Sequence, residues 1–438
     1  MSQPTLPAQL RRQDGDRLRA YKDRLDFYLG TQWPRSRDRK ARQLVFNYAR
    51  AVIDKVTAYT LKGMTVGIGP QRTGRPAESD ASAAELALAD VSAANNLPRL
   101  DYDTEIDTAV LGDGCFKVTW DQDEQRVVIT APDVQGIFAW PHPHDLTRFT
   151  RIAQRYQLPA ADVARLWGFA TKTDPATVTE DWTADTLTIW VGETVAALDA
   201  NPYGFLPFVL FPNQSVPKRW WGVSDIDTFR DTAVELNRQL TRLSQILELS
   251  GNPIAVLENV EQGSDIKAVP GAVWEIPENA KAYLLDLLKG GGVKLHVEYA
   301  DLLLRTLYDL SETPKTAFGS TGRDLSGIAL EVELQPLLQR VDRKRLIRGQ
   351  AYTARARLTL ALIDANTGSN HSAAGDIEIA WDSPTPQDHS RQVTDEIALV
   401  NAGLRARSTA MAALGEQNPQ AELTRADAER LDNNGTTA

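Results

Sequence analysis

The chain has 438 residues, 42% of them hydrophobic, so it is long and apolar enough to bury a sizeable core. No apolar run approaches the ~20 residues needed to cross a bilayer, the polar N-terminus lacks the apolar stretch of a signal peptide, and a cytosolic protein is expected. The net charge of −10 argues against tight, generic gripping of duplex DNA, and the single cysteine, Cys115, excludes an intramolecular disulfide and any multi-cysteine zinc site.

In chain order, residues 1–30 read as a polar helix ending at Phe27-Tyr-Leu-Gly30, followed by a basic linker from Gln32 to Arg42. Val45, Ala49, Val52, Val56 and Tyr59 recur at spacings of three and four, which predicts a helix over 44–62. Gly63, Gly67, Gly69 and Pro70 end it, and Gln71 to Ser82 reads as a polar loop. Two helices are predicted at 83–95 and 99–111. The period then changes, and 116–120 with 126–130 reads as a hairpin around the turn 121–125. Strands are predicted at 136–140, 149–153 and 186–191, and the Pro-rich stretch 201–213 ends this α+β region.

From Ser224 the chain turns strongly helical. Ser224 and Asp227 have the spacing of a capping box. Ile226, Phe229, Ala233, Leu236, Leu240, Leu243 and Leu247 then alternate at +3 and +4, one apolar seam about 40 Å long at ~1.5 Å per residue. Gly251-Asn-Pro253 stops it. An insertion at 252–292 carries strand-like runs at 254–257 and 272–276 and a short helix near 279–289. A second helix runs over 294–313, with Ala300, Leu303, Leu307 and Leu310 on one face and Pro314 at its end. A Gly-rich loop, Lys315 to Leu325, leads into a very long helix from Ser326 to about Ala365, in which Pro336 predicts a kink. A strand at 376–381 and a helical tail from about 388 complete the chain.

Enzyme signatures are absent: there is no phosphate loop, no H-E-x-x-H and no G-x-S-x-G. His142, His144 and Asp145 lie close together, but Pro143 stiffens the backbone between the histidines, and a structural loop is expected rather than a metal site. Asp101, Asp103, Glu105 and Asp107 read as a solvated helix start, since acids suit a helix N-terminus. Neither a cofactor nor a metal is expected. The long helix carries Arg340, Arg343, Lys344, Arg345, Arg348, Arg355 and Arg357, of which Arg340, Lys344, Arg348 and Arg355 fall near one face. That face reads as DNA contact, as a solvated surface, or as a surface paired to an acidic neighbouring subunit; the acidic chain favours the last. Trp274 lies in an insertion too small for its own core, so neighbouring copies are expected to bury it. In the loop, Gly319 and Gly322 permit backbone conformations closed to other residues, Pro314 marks its start, and Lys315 and Arg323 could touch phosphates as mobile charges. Phe318 is its apolar contact. Taken alone, the loop is an ordinary helix–helix linker.

The order of these segments resembles the portal proteins, or head-to-tail connectors, of long-tailed bacteriophages. Phe27-Tyr-Leu-Gly-Thr-Gln-Trp-Pro34 with Asn47-Tyr-Ala-Arg-Ala-Val-Ile-Asp-Lys-Val56 is similar to that family's N-terminal signature. Gly112 to Asp121 is similar to its helix-to-strand junction, and Leu206 to Asn213 with Trp221-Gly-Val-Ser-Asp-Ile226 is similar to the approach to its first stem helix. Pro314 to Gly322, followed by Ser326-Gly-Ile-Ala-Leu330, resembles its tunnel loop and long kinked helix.

The resemblance implies an α+β, mainly helical portal fold. It would comprise a wing (1–222), a stem helix (223–250), a clip (251–293), a second stem helix (294–313), a tunnel loop (314–325), a long kinked wing helix with a returning strand (326–386) and a short crown (387–438). It implies a dodecameric ring at one capsid vertex, assembled in the host cytoplasm, through which double-stranded DNA is packaged and ejected. The implied partners are the terminase large subunit, a head-completion or adaptor protein, and the major capsid or scaffold protein. Independently of the resemblance, a helix pair with so long a seam cannot bury all of it alone, and side-by-side packing in a closed ring supplies the missing surface. The rival reading is a virion structural component without a channel, such as a minor capsid or scaffold protein. A DNA-processing enzyme is disfavoured by the missing motifs.

Overall fold

The computed structural model describes residues 5–10, 12–33, 43–69, 78–251, 254–258, 281–285, 292–319, 327–383, 389–416 and 419–435. They fall into two compact units, Met1–Ala380 and Trp381–Ala438.

The first unit opens with α1 (Leu6–Leu10) and α2 (Gly15–Leu29), where a single polar helix was predicted; Asp14, at φ 56°, separates them. Gly30, at φ 72°, ends α2 by returning its N–H to the Asp26 and Phe27 carbonyls. The Asn47 side chain caps α3 (Tyr48–Thr60) by accepting the Arg50 N–H. Of the stripe the spacing predicted, Ala49, Val52 and Val56 are buried, joined by Ile53, and Tyr59 is half-buried, while Val45 precedes the helix and is exposed. The glycines after α3 do not merely end it: Thr65–Gly69 is a strand, β1. Next come α4 (Glu78–Ala94), which begins inside the expected polar loop, and α5 (Leu97–Leu111).

The expected hairpin is present as β2 (Asp113–Asp121) and β3 (Arg126–Thr130), with Lys117 opposite Thr130 and Asp121 opposite Arg126. Five strands then form an antiparallel meander: β4 (Ile137–His142), β5 (Asp145–Leu158), β6 (Ala176–Thr183), β7 (Thr186–Val191) and β8 (Thr194–Ala200), with the short helix α6 (Ala160–Trp167) between β5 and β6. The Pro-rich stretch that reads as the end of the region contains β9 (Phe208–Pro212), which pairs with β2 to give a second sheet of order β3-β2-β9. Strand β6 escapes sequence reading because its Glu180 and Asp181 are charged yet buried. Glu180 accepts Lys117 Nζ at 2.5 Å, Tyr156 OH at 2.7 Å and the Trp182 indole N–H at 2.8 Å, which ties the two sheets together. Asp181 accepts two hydrogen bonds from Arg151, each 2.6 Å.

Ser224 and Asp227 do not form the expected capping box. The Ser224 hydroxyl donates to the Val110 carbonyl at 2.6 Å and accepts the Ile226 N–H, while Asp227 pairs with Arg24. A single 3-10 turn at Ile226–Thr228 intervenes, and α7 runs over Arg230–Gly251. In the insertion, β10 (Ile254–Glu258) pairs antiparallel with β11 (Lys281–Leu285), so residues 281–285 are a strand where a short helix was expected. The strand-like run at 272–276 lies outside the described residues. Helix α8 (Gly292–Leu310) packs along α7. Helix α9 (Gly327–Thr367) continues through Pro336, whose missing N–H leaves the carbonyl four residues back without its usual partner. β12 (Asp376–Ala380) returns to pair with β1, Val66 opposite Ile379.

One apolar core joins these elements, with Tyr21 and Phe27 of α2, Ile53 of α3, Ile137 and Ile152 of the meander, Phe229 before α7, Leu307 of α8, and Leu337 and Val341 of α9. The second unit contains α10 (His389–Asn401), α11 (Arg407–Ala413) and α12 (Pro419–Gly435); within it Arg405 pairs with the mostly buried Glu396. No described helix is long and apolar enough to cross a membrane.

Candidate functional site

The segment after α8 is the first candidate. Glu312 takes φ 49°, and Pro314 is extended. Lys315–Phe318 then forms a 3-10 turn closed by Ala317 N–H to the Pro314 carbonyl at 2.9 Å. Ala317 is buried, and the Phe318 ring lies 5.9 Å from Tyr308 of α8. The start of the loop is therefore seated on the helix that precedes it. Lys315 is exposed. Gly319 follows at φ 82° with open space where a Cβ would stand, so its backbone angle and not crowding calls for glycine. Gly322 and Arg323 lie outside the described residues, as does Trp274.

Behind this segment lies a buried charge network. Arg340, Lys344, Arg348 and Arg355 recur along one face of α9, as the spacing predicted, but the face points into the protomer. None of the four is more than 4% exposed. The expectation that Arg340, Lys344 and Arg348 meet a neighbouring subunit is thus corrected, because their partners are inside the same chain.

Arg340 donates to the Ser311 carbonyl at the end of α8, and its Nη2 lies 3.0 Å from Asp225, just ahead of α7. Lys344 Nζ lies 2.9 Å from Asp225, 2.6 Å from Asn213 Oδ1 and 3.4 Å from Glu105. Arg348 grips Glu105 with Nε at 2.6 Å and Nη2 at 2.9 Å, and its Nη1 donates to the Pro212 and Asn213 carbonyls. Arg355 holds Asp101 through both terminal nitrogens. Arg345, on the adjoining face, donates to the carbonyls of Tyr59, Thr60 and Lys62 at the C-terminal end of α3.

The acidic cluster of α5 is thereby reinterpreted. Asp101 and Glu105, one helical turn apart, are buried ion-pair partners in the body of α5 rather than a solvated helix start. Asp103 and Asp107, on the other side, remain exposed. Burial by itself would raise the Asp225 pKa, but Arg340 and Lys344 more than offset it and hold the carboxyl far below the ordinary range. For Lys344 burial dominates and lowers the pKa, against the pull of Asp225 and Glu105. Removing one partner of such a buried pair leaves an uncompensated charge and destabilises by about 3–5 kcal/mol. The network therefore acts as a rivet: α5, the segment 212–225, the end of α8 and α9 cannot separate without stranding charge.

The α7–α8 pair shows the opposite chemistry. Its seam is buried at Phe229, Ala233 and Leu236, half-buried at Leu240 and Leu243, and open at Leu247. On α8, Leu307 is fully buried, yet Leu295 is 69% exposed and Leu302 57%. Leu310, assigned by spacing to the packed face, is also exposed.

His142 and His144 sit in the β4–β5 turn with ring centroids 5.8 Å apart, and no group of metal-ligating side chains occurs among the described residues. Spacing revealed the α9 basic face; its acidic partners were missed because they lie far away in sequence, as many as 254 residues. A search of curated proteins finds no match to the chain. A family model described as "Phage portal protein, SPP1 Gp6-like" matches residues 13–436, nearly the full length. The mixed, mostly helical fold accords with it, and the chain belongs to this family: it is a phage portal protein, a non-enzymatic head-to-tail connector that forms an oligomeric ring at the capsid vertex through which DNA is packaged and ejected.

Proposed function

We propose that α7 and α8 are the two stem helices, that the insertion around β10 and β11 is the clip, and that residues 314–325 form a tunnel loop facing DNA in transit. Residues 1–222 and 326–386 would then make the wing, and 387–438 a short crown. The observation that carries this reading is the run of exposed leucines on α7 and α8, Leu247, Leu295, Leu302 and Leu310. Burying a leucine contributes about 1.5–3 kcal/mol, so side-by-side packing of copies supplies a strong drive to close a ring, here taken as twelve subunits. Trp274, within the clip, would be buried between neighbours.

Lys315 at the exposed start of the loop, with Arg323 further along, would repeat around the channel and touch passing phosphates weakly, in keeping with the acidic net charge of the chain. Pro314, Gly319 and Gly322 would be its hinges, Phe318 its apolar contact and Pro336 the kink of the helix that follows. The terminase large subunit would dock during packaging and a head-completion or adaptor protein afterwards, with the major capsid or scaffold protein around the ring. Negative-stain microscopy and light scattering of the purified chain test the reading. Rings with an axial hole are expected. A monomer across a wide concentration range at mild salt, or assemblies without a hole, would refute it.

A further inference from the structure

The buried network on α9 sets a lysine against an amide. Asn213, Asp225, Lys344 and Arg348 are each no more than 2% exposed. Lys344 Nζ lies 2.6 Å from Asn213 Oδ1 and 2.9 Å from Asp225 Oδ2. The other oxygen of that carboxylate accepts Asn213 Nδ2 at 2.8 Å, so Asp225 bridges the lysine nitrogen and the amide nitrogen. Arg348 Nη2 donates to Asn213 Oδ1 at 2.8 Å, and Asn213 Nδ2 also donates to the Val223 carbonyl at 2.9 Å, which fixes the plane of the amide. Asp225 Oδ2 accepts no well-directed hydrogen bond, which leaves it open to a proton.

The charges do not balance. Arg340, Lys344 and Arg348 share this space with the carboxylates Glu105 and Asp225 alone. Arginine keeps its proton in proteins, so the surplus is relieved at Lys344, which burial already pushes below its ordinary pKa. A neutral, desolvated lysine beside other cations is an activated nucleophile. Glu105 and Asp225 are carboxylates and repel it, and Asp225 is held firmly ionised. Asn213 is a neutral amide whose oxygen is polarised by Arg348.

We infer that Lys344 and Asn213 join in an intramolecular isopeptide bond, with Asp225 as proton relay and Arg348 as the donor to the developing oxyanion. The Nζ lone pair forms a bond to Asn213 Cγ, and the carbonyl π electrons move onto Oδ1, where Arg348 stabilises them. Asp225 accepts one proton from Nζ and delivers one to Nδ2. The carbonyl re-forms as the Cγ–Nδ2 bond breaks, and Nδ2 leaves with that electron pair as ammonia. An amine and a primary amide become a secondary amide and ammonia; nothing is oxidised and no co-reactant is consumed. The product ties the approach to α7 to α9 covalently across 131 positions. This inference stands apart from the channel reading, since it uses no residue of α7, α8 or the tunnel loop.

The test is denaturing intact-mass spectrometry of the full-length protein, as purified and after prolonged incubation of the folded chain. The expected mass is that of the sequence less one ammonia. Trypsin, blocked at an acylated Lys344, should release Thr173–Lys218 joined to Lys344-Arg345. That peptide separates the link from succinimide formation at Asn434-Gly435, which loses the same mass. Asp225→Asn keeps the shape of the side chain and removes the relay, so it should lower the linked fraction by about tenfold or more, with circular dichroism to show that it is folded. If it does not fold, the wild-type mass and peptide map decide alone. An unchanged mass after incubation, or ammonia lost only at Asn434, overturns the inference. Equal linkage in a folded Asp225→Asn overturns the assignment of Asp225 as relay.

Discussion

Helix α9 and the α7–α8 pair both carry side chains on what looks like the wrong side, and they resolve the conflict in opposite ways. α9 turns four cations inward, and the chain itself provides Asp101, Glu105 and Asp225 to meet them. α7 and α8 leave leucines outward, and no element among the described residues covers Leu247, Leu295 or Leu302. Directional, charged contacts were completed within one protomer; non-directional apolar surface was left open. A buried charge without a partner is intolerable at every stage of folding. An exposed leucine is merely unfavourable and can wait for a second copy.

The sharpest way to break this contrast is Arg348→Met, which strands Glu105 and removes the donor to two carbonyls. A loss of about 3–5 kcal/mol is expected in urea unfolding of the protomer. Replacing Glu105 by Leu in the same chain should recover part of it, since an apolar pair can stand in for a buried ionic one; a double variant as unstable as the single would show that the carbonyl contacts dominate.

Asp225→Asn comes next, with about 3 kcal/mol expected near neutral pH. Its sign with pH is set by the depressed folded-state pKa. The carboxylate's stabilisation is complete above the unfolded value of ~4 and drains away as pH falls below it toward the folded value. Wild-type stability should therefore fall more steeply below about pH 4 than that of Asp225→Asn; parallel acid profiles would place the acid sensitivity elsewhere.

On the apolar side, Leu295→Ser with Leu302→Ser should change protomer stability by no more than about 0.5 kcal/mol, because neither side chain is buried in the chain. Ring formation, read by light scattering, should weaken by about 1.5–3 kcal/mol for each leucine that a neighbour covers. Unchanged assembly would mean that another face closes the ring. Gly319→Ala should cost about 1 kcal/mol through its positive φ alone, visible as a small drop in thermal midpoint. Lys315→Ala, the smallest effect, should leave both stability and assembly within about 0.5 kcal/mol of wild type. Only DNA packaging in a reconstituted system should respond.

Much of the fold is legible in the chain because period is a local property. The β2–β3 hairpin, the α7 seam and the 41-residue span of α9 follow from residues only a few positions apart. Strands β1, β6, β8, β9 and β11 were not legible. β1 is glycine-rich and acquires strand character from β12, more than 300 positions later; β6 hides acids whose cations come from β2 and β5. The candidate loop was found by its glycines and proline, but its seating on Tyr308 was not.

By itself, the sequence determined the type and order of most elements, the i, i+4 placement of Arg340, Lys344 and Arg348 on one helical face, and the family to which that order belongs. Only the tertiary structure decided which way that face points. Spacing specifies which residues share a surface, whereas the acids that neutralise it come from α5 and from the approach to α7, as many as 254 positions away. Without their placement, a row of cations on a helix reads equally well as solvent, partner or core.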